Sequence, residues 1–207
     1  IATQRRCTAH ERPAQMSDEA QRFKAVNLIS DPIHGYIELT KRLDGERAAE
    51  EDLLDTPWVQ RLRRISQLQS ARWVFPTAEH SRFAHGLGVM HEAGLWARHL
   101  YPSLKEQLVA SGAAVPSEGL VVETLRVAGL LHDVGHGPYA HALDRVLATR
   151  LVQHGGGGTA IRLAPTGLKV DRVMGPRLVS RRLGPVLEEA GVEVDVLLRL
   201  LGGQTVE

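Results

Sequence analysis

One stretch constrains this chain more than any other: Leu130-Leu131-His132-Asp133-Val134-Gly135-His136-Gly137-Pro138. It continues a run in which Leu125, Ala128 and Leu131 are spaced as on one face of a helix. Two ionisable residues therefore arrive where the helix meets the core, and buried charge is costly unless it is paired or metal-bound. Adjacent side chains on a helix point roughly 100° apart, so His132 and Asp133 can approach one ion from neighbouring directions. His136 lies one turn on from His132 and shares its face. Gly-His-Gly-Pro forbids continuation, so the helix is expected to start near Ser117 or Glu118 and to stop at Gly135. His85, after Ser81-Arg82-Phe83-Ala84 at the start of an earlier helix, has the chemistry of a further ligand. Imidazole with carboxylate suits Mn, Fe or Zn, whereas oxygen-only ligation suits Mg or Ca.

The rest of the chain supports an all-α class with a short N-terminal β-hairpin. Its 207 residues, 43% hydrophobic, suffice for one globular core. Asp31-Pro32 and His34-Gly35 break the extended piece Val26 to Leu39 into a hairpin or turn. Asp55 or Thr56 can cap a helix with Pro57 in its first turn, carrying Trp58, Val59, Leu62, Ile65 and Leu68. A second helix is expected from about His85 to Leu100. The glycine run 155–158 reads as a loop, and helical patterns resume at Leu178–Leu187 and Val194–Leu201. Residues 1–25 read as a tail or upstream extension before a domain spanning 26–207.

Composition excludes several functions. Lys and Arg total 25 against 24 Asp and Glu, and no basic stripe interleaves with aromatics, so nucleic-acid binding and polybasic membrane binding are not expected. The lone cysteine, Cys7, permits neither a disulfide framework nor a thiolate cluster. With no spanning apolar run and no signal-peptide pattern, a cytoplasmic protein is expected. Of ten histidines, six (His80, His85, His91, His132, His136, His141) fall between positions 80 and 141. His80, His91 and His99 lack a partner pattern and read as solvated or packing residues.

Several segments resemble the HD-domain phosphohydrolases, and within them the branch of deoxynucleoside triphosphate triphosphohydrolases. They are Ser30-Asp31-Pro32-Ile33-His34-Gly35-Tyr36-Ile37, Asp55-Thr56-Pro57 through Gln60-Arg61-Leu62-Arg63, Phe75-Pro76, Arg82-Phe83-Ala84-His85-Gly86-Leu87-Gly88-Val89, and Leu131 through His141. The resemblance runs in order from about residue 28 to residue 144. It implies an HD-domain helical bundle, with His85, His132 and Asp133 as ligands of a divalent ion (Mn, Mg, Fe or Zn). It also implies that Arg82 and His136 hold phosphate oxygens, that His141, oriented by Asp144, handles the proton at the leaving oxygen, and that Gln67 contacts the sugar. Asp55, Gln60 and Arg63 match positions where some members bind a regulatory guanine nucleotide. The plainer reading makes Asp55 a helix cap and leaves the other two on the surface.

The chain departs from the family pattern toward its C-terminus. No stretch resembles the segment bearing the family's fourth ligand, an aspartate, and Asp195 aligns better with a preceding helix. Gly167-Leu168-Lys169-Val170-Asp171-Arg172 stands where a His-Glu pair is expected. Two functions follow. One is a metal-dependent phosphohydrolase that cleaves a deoxynucleoside triphosphate, its nucleotide substrate, to deoxynucleoside and triphosphate. The other is a truncated or catalytically impaired HD protein acting as a nucleotide-binding or regulatory module. Assembly into homo-oligomers is compatible with either.

Overall fold

The computed structural model describes residues 26–42, 47–140 and 170–202. Two antiparallel strands, β1 (Val26–Asp31) and β2 (Gly35–Thr40), form the expected hairpin. Its turn follows from local chemistry: Asp31 Oδ1 accepts the backbone N–H groups of Ile33 and His34, each at 2.9 Å. Gly35 then takes φ +76°, which a side chain would strain.

Helices make up the remainder. A short α1 (Glu50–Leu54), absent from the sequence expectation, precedes α2 (Pro57–Gln60) and a 3₁₀ turn, Arg61–Arg64. The apolar periodicity through Leu68 does not form one helix. Ile65 is extended, its carbonyl accepts the N–H of Arg82 at 2.8 Å, and Ser66 bridges to Ser81. Nor does Asp55 cap α2. It ends α1, while Thr56 stands at the N-cap with its hydroxyl turned back to Leu53 O at 2.8 Å.

The two long helices are α3 (Arg82–Ser111) and α4 (Glu118–Leu131). Ser81 caps α3 by accepting the N–H of Ala84 at 3.2 Å, and Ser117 caps α4 by accepting that of Leu120 at 3.3 Å. α3 outruns the expected end at Leu100 by three turns, because a proline at 102 removes one donor without stopping an exposed helix. The left-handed Gly112 terminates it. α4 stops earlier than expected, at Leu131, and residues 132–135 form turns. Beyond the second gap, α5 (Val170–Leu178) runs through a π-helical segment, Val179–Leu183, into α6 (Gly184–Ala190), and α7 (Val194–Gly202) follows.

One core joins these parts. Leu53, Leu62, Met90, Leu130, Leu131 and Val134 pack with Leu183, Leu187 and Leu197, all essentially inaccessible. α3 and α4 approach closely at Gly129, where an added Cβ would stand 3.0 Å from Met90 Cα and from Val89 O. Arg126 of α4 binds Glu50 of α1 through Nε at 2.5 Å and Nη2 at 2.9 Å, and also donates to Glu38 O at 2.6 Å. This bidentate buried pair locks the hairpin and α1 onto the helical layer. No helix among the described residues is long and apolar enough to cross a membrane. The loop at 155–158 and the 1–25 segment lie outside the described residues.

Candidate functional site

The site forms where the start of α3 meets the end of α4. His85 lies one turn inside α3, and His132 and Asp133 follow the last turn of α4. These three residues can each offer a ligand atom, and the atoms all lie within 4.8 Å of one another. Two donors each ~2.1 Å from one ion stand at most ~4.2 Å apart, so side-chain adjustments of some tenths of an ångström would let all three bind.

Each donor is prepared for ligation. His132 Nδ1 lies 2.7 Å from Gly129 O, and a carbonyl can only accept, so Nδ1 is the donor and Nε2 is the atom left to ligate. That Nε2 is 3.4 Å from Asp133 Oδ1. Burial, and then the neighbouring charge of His132, lower the pKa of His85 below the usual histidine value, which favours the neutral ligand form. For Asp133, burial alone would raise the carboxyl. The hydrogen bond from His136 and the charges of His132 and Arg82 outweigh it and hold the group well below the ordinary carboxylate range. Two imidazoles and one carboxylate fit a divalent transition metal.

Around these donors lie two cation-capable groups. Arg82 Nη1 donates to Asp133 Oδ2 at 2.6 Å, while its buried Nε has no hydrogen-bond partner among the described residues. His136 is almost fully buried and places Nε2 3.2 Å from Asp133 Oδ1. The expected proximity of His136 thus arises by a different route. The segment is a turn, with Val134 N bonded to Leu131 O and His136 N to Asp133 O, each at 3.0 Å.

The other predicted residues are placed as follows. Gln67 binds His80 O through its backbone N–H at 3.1 Å, and its side-chain Oε1 is buried without a partner among the described residues. Asp55, Gln60 and Arg63 form a surface chain: Gln60 Nε2 donates to Leu54 O at 2.9 Å, and Arg63 Nε donates to Gln60 Oε1 at 2.7 Å. Arg63 also lies 3.7 Å above the Phe83 ring. His141 and Asp144 lie outside the described residues. A cavity of about 690 Å³ opens elsewhere, among Glu38, Arg47, Glu50, Arg98 and Arg126, and none of the three donors lines it.

Sequence reasoning assigned no role to Arg61 or Asp171. Arg61 Nη1 donates to His136 O at 2.6 Å and Nη2 to Val134 O, so one guanidinium clamps the whole turn. The only signal for this was its place inside the Gln60–Arg63 stretch. Asp171, on the first turn of α5, lies with Oδ2 3.8 Å from His136 Nε2.

Comparison with known proteins agrees with this geometry. Residues 82–159 match the HD domain family, a span that contains all three donors. The chain is 36% identical over 136 residues to deoxynucleoside triphosphate triphosphohydrolase SAMHD1 of Bos taurus, covering 62% of this chain and 20% of that protein. Against the Homo sapiens protein of the same name it is 39% identical over 119 residues, 58% of this chain and 17% of that one. The Dictyostelium discoideum homologue is 35% identical over 121 residues, 58% and 21% of the two chains. The chain thus spans about a fifth of the length of these relatives. It matches the HD domain family over residues 82–159 and is similar across that region to deoxynucleoside triphosphate triphosphohydrolases.

Proposed function

We propose that this chain is a metal-dependent phosphohydrolase that cleaves deoxynucleoside triphosphates to deoxynucleoside and inorganic triphosphate. The observation that carries the reading is the His85, His132 and Asp133 group, with Arg82 and His136 packed against its carboxylate. The SAMHD1 relatives, by name triphosphohydrolases of deoxynucleoside triphosphates, suggest the substrate class.

In this reading His85, His132 and Asp133 hold a divalent ion (Mn, Mg, Fe or Zn), which when bound polarises phosphoryl oxygen and acidifies water. Arg82 and His136 supply fixed positive charge and hydrogen bonds to phosphate oxygens as negative charge builds in the transition state. The ester bond to the sugar 5′ oxygen breaks as a water oxygen bonds to phosphorus. His141, oriented by Asp144, delivers the proton that the departing 5′ oxygen requires. Gln67 faces the sugar. The same reading places the chain in the cytoplasm and allows it to act as a homo-oligomer.

The test is product analysis. The purified chain is incubated with each dNTP and with Mn²⁺, Mg²⁺, Fe²⁺ or Zn²⁺ in turn, and products are resolved by ion exchange beside Asp133→Ala. Deoxynucleoside and triphosphate, lost in the variant, are expected. Nucleotide binding without product under every metal would instead assign the chain a nucleotide-binding or regulatory role.

A further inference from the structure

We infer that Asp171 is a positioning residue of this site, holding the His136 imidazole together with Asp133. The inference rests on the functional reading above only for what His136 does, not for how it is held. His136 Nε2 stands between two carboxylates, 3.2 Å from Asp133 Oδ1 and 3.8 Å from Asp171 Oδ2. Those two come from different parts of the chain, Asp133 from the turn after α4 and Asp171 from α5.

The approach of α5 to this turn is built into the backbone. A Cβ added to Gly135 would stand 2.3 Å from Asp171 O and 2.5 Å from Gly175 N, so only glycine lets the two segments meet. Asp171 is thus delivered to His136 by main-chain packing, not by a flexible surface side chain.

An acidic residue in the first turn of a helix has an ordinary explanation, its favourable interaction with the helix dipole. Such carboxylates gain that benefit while solvated. Asp171 does not remain solvated: its side chain is only 13% exposed, and Oδ1 is buried with no hydrogen-bond partner among the described residues. A carboxylate so placed is costly unless a polar partner faces it, and His136 Nε2 stands 3.8 Å from its Oδ2. Asp171 does not belong to the group of donors within 4.8 Å of one another, so it acts through His136. With carboxylate oxygens of both Asp133 and Asp171 near Nε2, the ring is held in one orientation beside Asp133. That orientation is the one His136 needs to meet a phosphate oxygen next to the ion.

The experiment compares the full chain with Asp171→Asn and Asp171→Glu, in Mg²⁺ so that nuclear magnetic resonance stays usable. The imidazole ¹⁵N signals of His136, identified by their loss in His136→Gln, report its tautomer directly and need no nucleotide. Mn²⁺ affinity and inorganic triphosphate affinity are measured by calorimetry. Asp171→Asn is expected to shift the His136 ring signals and to weaken triphosphate binding by about tenfold, the lower range for outer-shell partners. Mn²⁺ affinity should change by less, because all three donors remain, and Asp171→Glu should recover the wild-type ring signals in part. Unchanged His136 signals in a folded Asp171→Asn variant would overturn the inference, even if stability had dropped. Absence of triphosphate binding in the unmodified chain would count against the hydrolase reading alone, since the ring signals still decide the role of Asp171.

Discussion

Arg82 and Asp133 form a buried ion pair across the junction of the two long helices, Nη1 to Oδ2 at 2.6 Å, with side chains 3% and 9% exposed. The pair spends one oxygen of the carboxylate on the arginine and leaves the other facing His132 and His136. A carboxylate this deeply placed stays ionised only because its neighbours oppose its burial.

Removing one partner should therefore be worse than removing both. Arg82→Leu is expected to cost about 3–5 kcal/mol in the metal-free chain, because it strands a buried charge. Combining it with Asp133→Asn should recover part of that loss. Urea unfolding in the presence of a chelator measures both variants, and an additive double mutant would contradict the coupling.

The pH dependence of stability should show two separate windows. Folded His85 has a lowered pKa, while the unfolded chain titrates near ~6.5, so its contribution is complete above that value and is lost as pH falls toward the folded value. Asp133 is likewise lowered, and its contribution is intact at pH 5 and lost as pH falls below ~3.9. In the metal-free chain His85→Gln should flatten the first decline and leave the second. Thermal melts from pH 8 to pH 3 decide this.

Metal should stabilise the folded chain by mass action, by about 2.7 kcal/mol at a hundredfold excess over Kd. His85→Ala, His132→Ala and Asp133→Ala should each abolish most of the rise in melting temperature seen with Mn²⁺. A His91→Ala control should retain it, since His91 stacks 5.0 Å from His34 and is not among the three donors. An equal rise in all four variants would point to metal bound elsewhere.

Arg61 is expected to matter without touching a ligand. Arg61→Ala removes a charged donor from two turn carbonyls, at a cost of about 1.5–3 kcal/mol. Arg61→Lys should restore little, because an ammonium lacks the fork that spans both carbonyls. Amide hydrogen exchange of residues 134–136 would show the turn loosening ahead of global unfolding.

Much of this was legible in the sequence where chemistry and spacing coincide. Ser117 was readable as a helix start because a hydroxyl before an apolar run satisfies free N–H groups, whereas α3, expected from about His85, begins at Arg82 behind Ser81. The His132-Asp133 step stood out because charge after an apolar helix demands a reason. What failed did so for tertiary reasons. The periodicity of Trp58 to Leu68 suggested one helix, but the Ile65 carbonyl is taken by Arg82 N, and the chain leaves helical geometry to reach it. α3 was expected to end near Leu100, yet it runs on through Pro102, a single lost bond on an exposed face being tolerated. Asp171 stood out only as part of the segment found where a His-Glu pair is expected; its relation to His136 depends on how closely α5 approaches Gly135, and no local spacing encodes that.

The donors also share a simple provenance. All three belong to a single helical hairpin whose arms touch at Gly129, so the centre is assembled by the same event that zips those arms together. It need not await the β-hairpin or the C-terminal helices. Contacts of modest sequence separation form early and fast. The chemistry therefore sits on the part of the fold that can form first, and later segments such as α5 add to a centre they do not themselves create.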